Sequence, residues 1–487
     1  MQFPILSVII FTPIIAGLLI LIVPKERKEL IRLIALAASS VVLLLSFIVY
    51  FSYDKSLGGY QFLEKASWVP ALGIQYHLGI DGMSVPLVLL SGVVVFCGVL
   101  VSWNIDERPK EFFSFMMFLG ASVLGVFSSL DLFQLFFFFE LAIFPKYLMI
   151  VIWGSPKTRE YGSMKLTIYL FVGSMIALLG MIAMYTAFGT FDLLELEQAG
   201  FAAGFQKFWF PFIFLGFGIL GGMFPFHSWA PDGHVAAPTA ISMMLAGVEM
   251  KVGVWAILRV GIILLPEGAK AWAPLIFILA TINVLYGAVI ALIQSDFKYV
   301  IGFSSVSHMG LVLIGLASLT EEGILGAGIQ MFSHGVMTAL FFSIVGMVYD
   351  RTHTREISKL GGLIKKMPWA AIGFLVAGFV SMGMPGFSGF IAEFPIFMGV
   401  WQKAPLVAIL SIFGVVITAA YILLVTRRVF FGELATEYAE IKPITTMDKI
   451  AIGLLAIIMI AIGWFPALIE PVIQSSVSHI MTLLGGI

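Results

Sequence analysis

The sequence predicts an all-α polytopic membrane protein of about 14 transmembrane helices, with two inverted five-helix repeats and discontinuous seventh and twelfth helices. Three observations lead there. The 487 residues are 60% hydrophobic and 11% charged, too little polar surface to coat a water-soluble globule. Apolar runs long enough to cross a hydrocarbon core of about 30 Å recur along the whole length. Two of them are interrupted by proline, at Pro225 and Pro385, 160 positions apart.

The runs fall at 4–23, 30–52, 84–103, 111–129, 132–153, 163–188, 208–226, 240–263, 272–293, 299–317, 322–349, 369–400, 405–428 and 449–468. The first has no basic stretch before it and is followed at once by Pro24-Lys25-Glu26-Arg27-Lys28, which reads as a retained helix and not a cleaved signal. Loops after odd-numbered helices carry eighteen lysines and arginines, those on the other side five. The basic side is therefore expected in the cytoplasm of a cell (inner) membrane, with both termini outside. Four basic residues remain within spans. Lys165 and Arg259 sit near helix ends and can snorkel, whereas Lys146 and Lys251 cannot do so as readily.

Among the acids, Glu140, Glu249 and Glu393 lie deep in spans. An ionised group at the bilayer centre costs roughly 2.5 to 3.5 kcal/mol on insertion scales, so these residues and Lys251 are functional candidates by default. The stretch Phe224–Arg259 concentrates this chemistry: Pro225, Pro231 and Pro238, His227 and His234, then Glu249 and Lys251. A proline removes an amide donor, so carbonyls at these breaks must face protein or water. The twelfth run, as one helix, would be roughly 50 Å long, and the segment Ser381–Phe390 with Pro385 breaks it. Each break falls in the fourth helix of a five-helix unit. This gives an N-terminal three-helix segment (1–110), a first unit (111–263), a second, inverted unit (272–428) and a C-terminal helix and tail (429–487). Ion-coupled transporters are built this way, with working residues near mid-membrane.

Composition also excludes. A net charge of -1 provides no field for nucleic acid. Cys97 is the single cysteine, which rules out an internal disulfide, a CxxC pair and a cysteine-held iron–sulfur cluster. The longest extramembrane segments, 53–83 and 429–448, are too short for a nucleotide-binding domain. No cofactor or metal site is expected in this chain.

Seven motifs carry a family resemblance: YHLGIDGMS (76–84), FFFFELAIFPKYLMI (136–150), FPFHSWAPDGHVAAPTA (224–240), LAGVEMK (245–251), SDFKYVIGFSSVSHMG (295–310), QMFSHG (330–335) and GMPGFSGFIAEF (383–394). In this order the chain resembles, over nearly its whole length, the antiporter-like subunits of respiratory complex I, NADH-quinone oxidoreductase. Mrp-type antiporter and membrane-bound hydrogenase subunits share much of the pattern. The resemblance implies a proton channel through protonatable side chains, driven by redox chemistry in other subunits of a hetero-oligomeric complex that hold NADH or another donor, flavin, iron–sulfur clusters and quinone. By motif it assigns proton translocation to Glu140, Lys251 and Glu393, with His308 and His334 on the connecting polar axis. The family's usual seventh-helix lysine falls at Leu220, and Glu249 is an added deep acid.

Simpler roles stand beside these. The three motif charges could form buried ion pairs that only orient helices, and the two histidines could be neutral packing elements. His227 and His234 fit loop ordering as well as transport, and Asp81 fits a turn. Glu249 fits a local water pocket or a proton site. Lys146 is either a partner for Glu140 or a snorkelling residue. With Leu220 unable to compensate Glu140, we expect Glu140 nearer to Lys251 than to Lys146, and Glu249 pointing away towards a second polar pocket. Alternative activities are a cation/proton antiporter or hydrogenase subunit, or a structural subunit with an inactive channel.

Overall fold

The computed structural model describes residues 3–485. Apart from the one-turn helix Leu193–Gln198 and short 3-10 turns, its helices, in order, are α1 (Ile5–Ile22), α2 (Lys28–Ser52), α3 (Ser84–Val101), α4 (Pro109–Ser128), α5 (Leu132–Trp153), α6 (Arg159–Phe188), α7 (Ala203–Leu220), the short α8 (Trp229–Ala236), and α9 (Thr239–Ile262). There follow α10 (Pro266–Ile293), α11 (Phe297–Ala317), α12 (Glu321–Thr352), α13 (Pro368–Ser381), α14 (Ser388–Lys403), α15 (Pro405–Phe430), α16 (Thr446–Trp464) and α17 (Glu470–Leu483). Among the described residues thirteen helices are long and apolar enough to cross a membrane, against about fourteen expected; the remaining run, 369–400, falls on two shorter helices, α13 and α14.

Two elements escaped the sequence reading. The segment before α3 is an antiparallel hairpin, β1 (Gln61–Val69) on β2 (Ile74–Ile80). The C-terminal tail contains α17, pinned by the Ser476 hydroxyl, which donates to Asp81 at 2.8 Å. Helix starts are set chemically. Asp131 accepts the Gln134 N–H ahead of α5, Asp296 accepts those of Lys298 and Tyr299 ahead of α11, and Thr445 and Asp448 form a reciprocal cap on α16.

Burial divides the bundle. Helices α3, α4, α9, α11 and α12 are enclosed almost all round, while α1, α2, α15 and α16 turn most of their apolar surface outward. A helix hydrophobic on every side belongs inside a bundle or against lipid. One close approach joins α9 to α12. A Cβ on Gly335 would lie 2.6 Å from the Gly247 carbonyl oxygen, so only glycine lets the two backbones meet there. That approach brings Lys251 against α12.

The helix ends differ from the sequence boundaries at the first break. Helix α7 stops at Leu220, so Pro225 lies in the turn beyond it rather than inside a span reaching 226. Exposed backbone in this turn finds partners: Asn283 of α10 accepts the Phe224 N–H and donates to Gly222 O at 2.8 Å, and Trp229 donates to Ile219 O at 2.7 Å.

Candidate proton-transfer site

The buried polar groups form two clusters joined by α9. In the first, Lys146 of α5 and Glu249 of α9 make an ion pair whose side chains are 0% and 3% exposed. Glu140, also on α5, has a buried Oε1 without a hydrogen-bond partner, and Lys146 and Ser174 of α6 are the polar groups acting on it. In the second, the Lys251 ammonium donates to the Ala246 carbonyl and lies 2.6 Å from His334 Nδ1 on α12. The His334 and His308 rings stack with centroids 5.3 Å apart. His308 Nε2 is 3.8 Å from Glu393 Oε1 of α14, and Gln330 donates to the same oxygen at 3.4 Å.

The arrangement has definite proton chemistry. One N–H···N bond joins Lys251 and His334, and it is satisfied whenever the two groups hold no more than one extra proton between them; only ammonium facing a protonated ring leaves it without an acceptor. His334 Nε2 is buried and unpartnered, which suits a bridging water. His308 Nδ1 lies 2.9 Å from Ser304 O and Nε2 3.1 Å from Ser381 O. Carbonyls only accept, so a neutral ring fills one of these bonds and the imidazolium fills both, with Glu393 beside its Nε2. Ser381 ends α13, so the second helix break supplies one of these acceptors.

Two expectations are corrected. Glu249 does not point to a separate pocket but binds Lys146. Lys251 does not serve Glu140: its partners are Ala246 O and His334, and Lys146 is the lysine whose charge reaches Glu140. The reason is tertiary. The Gly247–Gly335 approach draws Lys251 to α12, and a π-helical turn at Leu245–Glu249 redirects Glu249 towards α5. No sequence signal marked the π turn.

Other residues find structural roles. Arg259 does not snorkel; it is buried and donates to Asp81 at 2.6 Å and to the Tyr60 hydroxyl at 2.7 Å. Asp81 also accepts the Ser84 N–H at the start of α3, as a turn residue would. Lys165 pairs with Asp232 at 2.7 Å. His227 packs against Phe224 and Tyr286. His234 is fully buried with neither ring nitrogen bonded. A cavity of about 360 Å³ on the basic side, lined by Asp106, Thr239, Lys298, Asp350 and Arg355, reaches the end of α8, where Lys298 donates to Ala237 O at 2.6 Å. Among the described residues no group of three or more His, Cys, Asp or Glu is placed to hold a metal.

The family described as "NADH:quinone oxidoreductase/Mrp antiporter, TM" matches residues 129–418, which include both clusters. The chain belongs to this family. It is 36% identical over 496 residues to NADH-quinone oxidoreductase subunit M of Rhodobacter capsulatus, covering 98% of this chain and 96% of the relative. Its fold matches a chain of respiratory complex I from Thermus thermophilus at a TM-score of 0.91 and 28% identity, over 99% of this chain and all of that one. A chain of the Mrp complex from Dietzia sp. DQ12-45-1b matches at 0.88 over 100% of both chains, but at 18% identity this shows the shared fold alone. As a member of the family, the chain is a multi-pass membrane protein.

Proposed function

We propose that this chain is the proton-translocating, subunit M-type component of the membrane arm of an NADH-quinone oxidoreductase in the cell (inner) membrane. Quinone reduction, and the NADH, flavin, iron–sulfur clusters and quinone it requires, belong to other subunits of the complex; this chain holds no redox centre. The observation carrying the reading is the buried succession Lys251, His334, His308 and Glu393, drawn from α9, α11, α12 and α14. A proton released from Lys251 passes to His334, crosses by water to His308 and reaches Glu393. Glu140 and Glu249 act ahead of Lys251.

The two inverted repeats, 111–263 and 272–428, with 1–110 and 429–487 outside them, belong to the same proposal, as do external termini. What supports the repeats is a paired detail. Asp131 bridges Asp192, and Asp296 bridges Glu356, so the second helix of each unit starts beside the loop after its third. An antiporter that works without redox chemistry has the same fold; identity along nearly the full chain to a subunit M favours the oxidoreductase. The deciding experiment replaces Lys251 by alanine in the assembled complex and measures protons moved per electron. A strong fall is expected, and unchanged pumping at normal assembly rejects the reading. Ion exchange by the purified complex without any NADH oxidation would favour the antiporter instead.

A further inference from the structure

We propose that the Lys146–Glu249 ion pair is a positioning device for Lys251, holding the π turn Leu245–Glu249 in the form that sets the Ala246 carbonyl against the Lys251 side chain. This rests on Lys251 being the proton-bearing residue of the function proposed for the chain.

The turn's hydrogen bonds carry the inference. In an α-helix the Met250 N–H would meet Ala246 O, four residues back. Here it reaches Leu245 O, five back, and passes Ala246 over. The Ala246 carbonyl takes the Lys251 Nζ. Glu249 is the last residue of the same turn, and its partner Lys146 is anchored on another helix. Removing the extra residue of the turn would rotate Glu249 by about 100° relative to the helix beyond it and carry it off Lys146. Pair and turn thus require one another, and the turn fixes one of the two acceptors of Lys251. A pair this deep contributes little net stability, because desolvation of both charges offsets their attraction. Glu140, with its unpartnered buried oxygen, is the acid through which Lys146 can be drawn from Glu249.

The test compares three chains in membrane vesicles containing the native complex: Lys146→Met alone, Lys146→Met with Glu249→Leu, and the charge swap Lys146→Glu with Glu249→Lys. Proton translocation per electron is followed against pH. Titratable groups near Lys251 are His334 and His308 on α12 and α11, His234 on α8 and Glu249 on α9 itself; Glu140 on α5 faces the pair. The neutral pair should assemble, with a pH profile displaced by on the order of one unit. The charge swap should return the profile towards that of the native chain. A native profile in the neutral pair overturns the proposal, since a merely structural pair would leave Lys251 unmoved. Should the neutral pair not assemble, the swap decides: a native profile supports the proposal and a displaced or absent one overturns it. The Lys251→Ala result is separate. If that variant pumps normally, the functional reading has failed; if it does not pump while the neutral pair keeps the native profile, only the positioning role has failed.

Discussion

His308 Nε2 lies 3.8 Å from Glu393 Oε1 and 3.1 Å from the Ser381 carbonyl, so the ring closes the gap between a broken helix and the deep acid beyond it. The imidazole is bracketed by acceptors from its own helix and from the end of α13.

Glu393→Gln keeps the shape of that acid and a hydrogen bond to Gln330 but cannot titrate. The subunit should assemble, while proton translocation falls on the order of tenfold or more. Pumping at the native rate would remove Glu393 from the proton route.

His334→Ala leaves Lys251 with the Ala246 carbonyl and no ring to share its proton. Translocation should drop by about the same order, with quinone reduction by the complex less affected than pumping. A chain that loses neither would show that protons bypass α12.

Gly335→Ala tests the close approach that brings Lys251 to α12. The added Cβ would meet the Gly247 carbonyl and the Leu90 side chain. Overpacking of this kind costs about 1 to 3 kcal/mol, and separation of the helices lengthens the Lys251–His334 bond. Lower thermal stability together with reduced pumping is expected. Stability lost with pumping intact would mean that the contact serves packing alone.

Arg259→Met strands the buried Asp81 carboxylate, which then keeps only Ser84 and Ser476 as donors. Breaking a buried pair from one side costs about 3 to 5 kcal/mol. Assembly or thermal tolerance should suffer markedly, and a compensating Asp81→Asn should recover part of it. No change in either would show that the Arg259–Asp81 network carries no load.

The loops around the hairpin should also give an acid limit. Burial alone would raise the Asp192 carboxyl, but hydrogen bonds and charge from His77 and Lys65 bring it down to about 2, against an ordinary 3.8. A depressed carboxylate stabilises the fold above its unfolded pKa, and that stability is lost as pH falls from near 4 through about 2. Asp192→Asn should flatten the acid end of a stability-versus-pH curve for the solubilised subunit. An unaltered curve would place the acid sensitivity elsewhere.

Membrane class was legible in the chain, and so was the burial of Glu249, Lys251 and Glu393, because hydropathy and the cost of buried charge are local properties of a run of residues. Pro225 and Pro385 both lie in turns and not inside helices, and the end of α7 came six residues before the expected one. The sequence could not show which deep charges meet. Lys146 and Glu249 are 103 positions apart, and their pairing depends on how α5 and α9 dock. The facing of Glu249 and Lys251 depended on a π turn that no residue type signals, and on Gly247 and Gly335 allowing two backbones into contact. The hairpin β1–β2 stayed hidden for a related reason: it is short and leans on the helix ends beneath it, where Leu130 donates its N–H to the His77 carbonyl at 2.8 Å. Depth is written along the chain, whereas partnership is a property of helix rotation and register, and those are settled only when every helix has packed against its neighbours.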